Sequence, residues 1–237
     1  MLTKLLSVLA VGILGMTALP TVVKLTGIAA GPLTISQEAY NLIVNEECGG
    51  EGYYNRHAIH PEWPGGASGV TVGVGYDCGY NTKAQIASDW AHLGNERIAA
   101  LQSTAGIKGG SAKIALNRVR HVTISWEEAK ITFDKKTVSR FGGMTAAAFP
   151  KITDTPDDCE GVMLSIVFNR GSSLAGDSRL EMRQIRDAIT NHRWDDVPQY
   201  ILNMRRLWYG KHLDGLLSRR VKEAALWRRG LDRLKAA

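Results

Sequence analysis

Residues 69–77 read Gly69-Val70-Thr71-Val72-Gly73-Val74-Gly75-Tyr76-Asp77, and the fold turns on how this stretch is read. Val70, Val72, Val74 and Tyr76 alternate with Thr71, Gly73, Gly75 and Asp77. A period of two puts apolar side chains on one face of a strand and small or polar ones on the other, so Thr71 and Asp77 share the second face. Upstream, residues 48–68 look like a loop: Cys48-Gly49-Gly50-Glu51-Gly52, then Pro61-Glu62-Trp63-Pro64, then Gly65-Gly66, all poor helix formers.

Before that loop the period changes. Thr34 and Gln37 form a capping-box pattern, with Ser36 as a rival cap, and open a helix to about Glu47. Ile35, Ala39, Leu42 and Ile43 mark its inward face, and Glu47 continues it because 39, 43 and 47 are four apart. A carboxylate at the end of an apolar stripe is unusual, and Glu46 beside it is a competitor. Beyond Thr82 the pattern is mainly helical. A glycine-containing connection runs through Gly106, Gly109 and Gly110, and Ser125 with Glu128 restarts a helix. Asp154 to Asp158 start the apolar segment Cys159 to Gly171, expected at the centre of the domain. Helical stretches follow around Arg183 to Asn191, Val197 to Tyr209 and, strongly basic, Leu216 to Leu234. The expected class is α+β and mainly helical, with a small strand-bearing lobe near the N-terminus, a larger helical lobe and a cleft where they meet.

A chain of 237 residues with 44% hydrophobic and 22% charged residues has the make-up of one globular domain with a short appendage. The net charge of +6 favours a polyanionic partner: nucleic acid, an acidic membrane or the bacterial wall. There is no zinc-like Cys/His spacing, no phosphate-cradling GxxxxGK and no aromatic RNA-binding run, so no nucleic-acid partner is expected. After Lys4 the run Leu5 to Val23 is almost unbroken and apolar. It is long for a signal peptide and just reaches the roughly 20 residues a spanning helix needs. Residues 1–31 are therefore expected to be a signal or signal-anchor, with Ile28-Ala29-Ala30 a passable cleavage site. Residues 32–237 would form the functional domain, a monomer at the periplasmic face of the inner membrane.

Breaking a glycosidic bond requires a protonated carboxyl on one side and a carboxylate on the other, the acid's pKa lifted by apolar surroundings. Glu47 meets the first requirement by position. Glu47, a loop and then Thr71-Val72-Gly73-Val74-Gly75-Tyr76 resemble the phage-type lysozymes, in which a helix-end glutamate precedes a hairpin bearing Thr, Ile or Val, Gly, Ile or Val, Gly. The fuller string Trp63 to Asp77 is more similar to the pesticin-like branch of that superfamily. Phe168-Asn169-Arg170-Gly171 resembles the family's FNxG, and Gly215 to Trp227 its GLxxRRxxEAxLW helix. Together these span about Thr34 to Gly230.

The resemblance implies a peptidoglycan hydrolase that cuts β-1,4 bonds between N-acetylmuramic acid and N-acetylglucosamine without a cofactor, as in a phage endolysin for host-cell lysis. It makes Glu47 the general acid, Thr71 the residue that places water and Asp77 the second carboxylate, in an inverting reaction. Trp63, Tyr76 and Asn169 are the expected substrate-binding residues. The sequence departs from the commoner phage pattern, which has Asp or Cys six positions before the threonine, where Gly65 stands here. Asp77 lies six residues past Thr71, roughly 20 Å away along a straight strand. Either the chain turns at Gly73 to Gly75 or Asp77 orients a neighbour, and Glu62 and Glu51 are the alternatives.

His57, His60 and Glu62 cluster without a known zinc spacing, so no metal is expected. Trp90 and Trp194 are expected in the core, whereas Trp63 lies in the cleft loop. Cys48 and Cys78 flank Glu47 and Asp77, and the sequence leaves open whether they form a bridge or, like Cys159, are isolated thiols. Arg219, Arg220, Lys222, Arg228 and Arg229 read as a solvated basic face. A lytic transglycosylase, a secreted antibacterial effector of the same fold and a non-catalytic wall-binding protein are the alternatives.

Overall fold

A computed structural model describes residues 27–236. The chain runs β1 (Ile28–Ala30), β2 (Leu33–Ile35), α1 (Gln37–Cys48), α2 (Gly50–His57), β3 (Thr71–Val72), β4 (Tyr76–Asp77), α3 (Lys83–Asp89), α4 (Asn95–Gln102), α5 (Gly110–Ala115), α6 (Trp126–Thr132), α7 (Val138–Ala148), α8 (Asp157–Arg170), α9 (Leu180–Thr190), α10 (Val197–Asn203) and α11 (Asp214–Ala236). The class is α+β and mainly helical. The described strands make two separate antiparallel hairpins, β1 with β2 and β3 with β4.

The stretch 69–77 is a hairpin, not one straight strand. Gly73 and Gly75 take positive φ values of 59° and 67°, which turn the chain so that Thr71 pairs with Asp77 and Val72 with Tyr76. Crowding adds to the need for glycine. A Cβ on Gly73 would stand 2.8 Å from the Trp90 ring, and one on Gly75 3.1 Å from the Glu47 carboxylate.

Ser36, not Thr34, caps α1. Its Oγ accepts from Ala39 N–H and donates to Asp158 Oδ1 at 2.5 Å. Thr34 sits in β2, where its N–H donates to the buried Glu160 carboxylate at 2.7 Å. At the other end Gly49, with φ of 71°, closes α1 by donating its N–H to Asn45 O. The expected loop after it begins with a short helix, α2. Tertiary packing overrides the weak propensity there: Tyr54 is fully buried, with its hydroxyl on Ile124 O at 3.0 Å.

Helix α8 is the axis of the helical part, with every residue from Asp158 to Val167 buried. Two glycines let its neighbours approach. A Cβ on Gly161 would lie 2.1 Å from the Ala39 Cβ on α1, and one on Gly230 of α11 2.9 Å from the Asp158 Cβ. Overfilling such a contact costs about 1–3 kcal/mol. Thus α8 holds α1 and α11 together, and with them Glu47 and Arg219. The basic face expected on α11 is only partly a surface. Lys222, Arg228 and Arg229 are exposed, but Arg219 and Arg220 are buried, because Glu223 is buried with them as their counter-charge.

At the N-terminal side, Ile28-Ala29-Ala30 forms strand β1, and Ala30 is buried against Gly142. The folded part therefore includes residues ahead of the Gly31-Pro32 break. The expectation of a chain held at the periplasmic face of the inner membrane needs correction. No helix among the described residues is long and apolar enough to cross a membrane, and the run 5–23 lies outside the described residues. Cys48, Cys78 and Cys159 are all buried free thiols, so there is no Cys48–Cys78 bridge. Burial pushes the Cys78 thiol up to about 12. Trp90 is a core residue, edge-on to Tyr76 at 5.4 Å.

Candidate functional site

A cavity of about 330 Å³ opens where the end of α1, helix α2 and the β3–β4 hairpin meet. It is lined by Glu47, Tyr53, His57 and His60 and by Glu62, Thr71, Gly73 and Gly75, while Val74 between the two glycines is buried. Glu47 comes from the last turn of α1, on the stripe that packs against α8. Gly75 approaches its carboxylate, and Phe168 of α8 closes in behind Gly75.

The Glu47 side chain is 15% exposed and pairs with Arg219, Oε1 to Nη1 at 2.7 Å. Desolvation raises its pKa, opposed by the charge and hydrogen bond of Arg219, while Glu223 and Glu46 add to the rise. Arg219 cannot neutralise Glu47 fully because it is shared. Its Nε reaches Glu223 Oε1 at 3.2 Å, and its Nη2 donates to the carbonyl and hydroxyl of Ser165. Glu223 in turn accepts from Ser165 Oγ at 2.6 Å and Arg220 Nη2 at 2.9 Å. Two buried carboxyls and two buried guanidinium groups thus share one network around the acid. The motif Arg219-Arg220-x-x-Glu223 contained this signal. A glutamate three and four residues after two arginines lies on their helix face and can hold both inside.

The hairpin wall is built from the backbone. Glu62 and Thr71 exchange both main-chain bonds, Glu62 N–H to Thr71 O at 3.0 Å and Thr71 N–H to Glu62 O at 2.8 Å. Residues directly opposite in such an antiparallel pair project their side chains on the same face, with Cα atoms about 5.5 Å apart. The pairing therefore delivers an exposed carboxylate and a hydroxyl together to the cavity that Glu47 also lines. Sequence spacing could not show this, because the Glu62–Thr71 bridge depends on the path of the intervening loop.

The structure does not bring Asp77 to the cavity. Its carboxylate accepts from Gly69 N–H at 2.9 and 3.1 Å and from Gly79 N–H at 2.8 Å, closing the hairpin and capping the turn that follows. Glu51 is exposed on the first turn of α2 and does not line the cavity either. Tyr76 is buried with its hydroxyl on Asp89 Oδ2 at 2.9 Å. Trp63 is half-buried, its Nε1 on Ser68 O at 3.0 Å and Lys113 over its ring. Asn169 lines a different cavity. None of the three expected substrate-binding residues lines the Glu47 cavity, whereas Tyr53, His57 and His60 do. His60 Nδ1 lies 3.0 Å from Val122 O, which fixes its ring. Among the described residues no group of His, Cys, Asp and Glu is arranged to hold a metal ion.

A family described as a domain of unknown function (DUF8812) matches residues 40–146. No curated protein matches the chain. Among solved structures, the chain is similar to one titled "Crystal structure of active form of P1 phage endolysin Lyz", with a TM-score of 0.46 and 19% identity over 83% of this chain and 86% of that chain.

Proposed function

We propose that the chain is a peptidoglycan hydrolase of the lysozyme kind, a muramidase that cleaves the β-1,4 bond between N-acetylmuramic acid and N-acetylglucosamine. The observation that carries this reading is the pairing of environments in one cavity: Glu47, whose pKa is raised by burial, and an exposed carboxylate and a hydroxyl at Glu62 and Thr71. Cleavage of an acetal needs that asymmetry. Glu47 gives its proton to the leaving sugar oxygen, and the developing oxocarbenium charge is met from the hairpin side. There Glu62 takes a proton from water and Thr71 holds that water, so the second carboxylate is Glu62 in place of Asp77. The motif resemblance to phage-type lysozymes supports the same assignment of Glu47 and Thr71, and a phage endolysin is the setting it favours.

The pH dependence follows from Glu47. Its folded pKa is raised, so the active protonated form is present below that value and is lost as pH rises through it.

The test is to digest purified peptidoglycan with the full chain and with Glu47→Gln and to identify the soluble products by mass spectrometry. Reducing muramic ends from the wild type alone are the expected result. Anhydro-muramic ends would select a lytic transglycosylase, which needs no second carboxylate. No sugar product from either protein would leave a wall-binding module.

A further inference from the structure

A second cavity, of about 410 Å³, lies beyond the C-terminal end of α8 and is lined by Asn169, Arg170, Arg179, Trp208, Lys211 and Leu216 among others. Its charges are one-sided. Arg170 donates through Nη2 to Ser178 O at 2.5 Å, but its Nε is buried without an acceptor. Arg179 spends its guanidinium on the Arg170 carbonyl and the Met182 sulfur, and Lys211 donates to Leu207 O at 2.7 Å. Among the described residues none of these three cations is in an ion pair. The two acids on the adjoining segment, Asp177 and Glu181, are taken by Arg206 at 3.1 and 2.5 Å.

A half-buried guanidinium without a direct ion-pair partner is expensive, and here it has like-charged neighbours. Burial, together with Arg179 and Arg220, pulls Arg170 down to about 10 against the weaker opposing charges of Glu181 and Glu223. The Arg170 and Arg220 guanidinium groups lie 5.0 and 5.7 Å from the Trp208 ring centre, so the aromatic face offsets part of the cost. It supplies no acceptor. Three cations without direct ion pairs lining one cavity suit an anion whose oxygens can accept from them.

We propose that this cavity is an anion site that takes a carboxylate, held by Arg170, Arg179 and Lys211 against the Trp208 ring. The site follows directly on Phe168, the residue that packs behind Gly75 at the Glu47 cavity. A carboxylate carried on the peptide of a wall strand lying in that cavity is one source, and a free small dicarboxylate is another. The binding site itself stands whether or not Glu47 is a general acid.

The experiment follows the arginine Nε–H resonances of the full chain by NMR while glutarate replaces chloride at constant ionic strength. The expected result is a saturable shift of the Arg170 Nε–H. Binding should weaken about tenfold in Arg179→Gln and in the surface variant Lys211→Gln. Glu47→Gln should bind glutarate as the wild type does, which separates this test from that of the hydrolase. Glycan strands that bear peptides should compete with glutarate if the substrate supplies the carboxylate. Peptide-free strands should not. Competition by neither, with glutarate still bound, assigns the site to a free anion. A shift that does not saturate, or that survives in both variants, overturns the proposal.

Discussion

At one part of the cavity, Glu47 is largely buried at the end of α1 and tied to Arg219 of α11. On the hairpin wall, Glu62 stands in solvent and is placed only by main-chain pairing with Thr71. The same side-chain type is thus held by burial and charge on one side and by backbone register on the other. Two carboxyls can do opposite jobs only if their surroundings differ, and the two modes of construction supply that difference. They also predict different failures. Damage to the helical network should reach stability first, whereas a change at Glu62 should reach turnover first.

The largest expected effect is on turnover. Glu62→Gln should lower kcat by about 10²–10⁴-fold with no change in Tm, because nothing in the fold leans on its side chain. Peptidoglycan turnover and thermal unfolding measured on one preparation check this, and a fully active Glu62→Gln would remove Glu62 from the reaction. Next is Arg219→Met, which strips a shared cation from two buried carboxyls. It should cost about 3–5 kcal/mol in urea unfolding. Asp77→Asn tests the hairpin from the structural side. The amide nitrogen cannot accept from Gly69 or Gly79, so a loss of about 1–3 kcal/mol is expected, with turnover retained wherever the variant is folded. Gly75→Ala joins the two walls: the αL backbone costs about 1–2 kcal/mol, and the methyl group meets the Glu47 carboxylate, so kcat should fall together with Tm.

The smallest effect is a pH dependence. Because the folded protein holds the Glu47 proton more tightly than the unfolded chain does, stability falls as pH rises from the ordinary carboxylate range through the raised folded value. Glu47→Gln removes that fall. Its Tm should match the wild type at low pH and exceed it near neutrality. Equal Tm curves across the range would mean that Arg219 cancels the desolvation.

Much of this was legible in the chain because it rests on local rules. The stripe Ala39, Ile43, Glu47 marks a carboxyl at the end of a buried helix face, Ser125 with Glu128 is a capping box, and Asp157 to Gly171 is a central helix bounded by its own stop. Distance along a strand left two choices, a turn at Gly73 to Gly75 or an Asp77 that orients a neighbour, and the chain does turn there. The errors fall where a long-range contact outranked a local pattern. Residues 50–57 look like loop but form a helix because Tyr54 is buried. Arg219 and Arg220 look like surface but are interior because Glu223 and Ser165 meet them there.

The sequence by itself determined the class, the helix that carries Glu47 and the β-forming stretch at 69–77, since each follows from periodicity within a few residues, whereas the hairpin was implied only by the family resemblance. Only the tertiary structure decided which acid shares a cavity with Glu47. Asp77 and Glu62 are both near Thr71 in number, but the hairpin spends the Asp77 carboxylate on its own backbone, while the Glu62 side chain is free to face the cavity. A carboxylate's role depends on which donors reach it first, and those donors are brought by the fold.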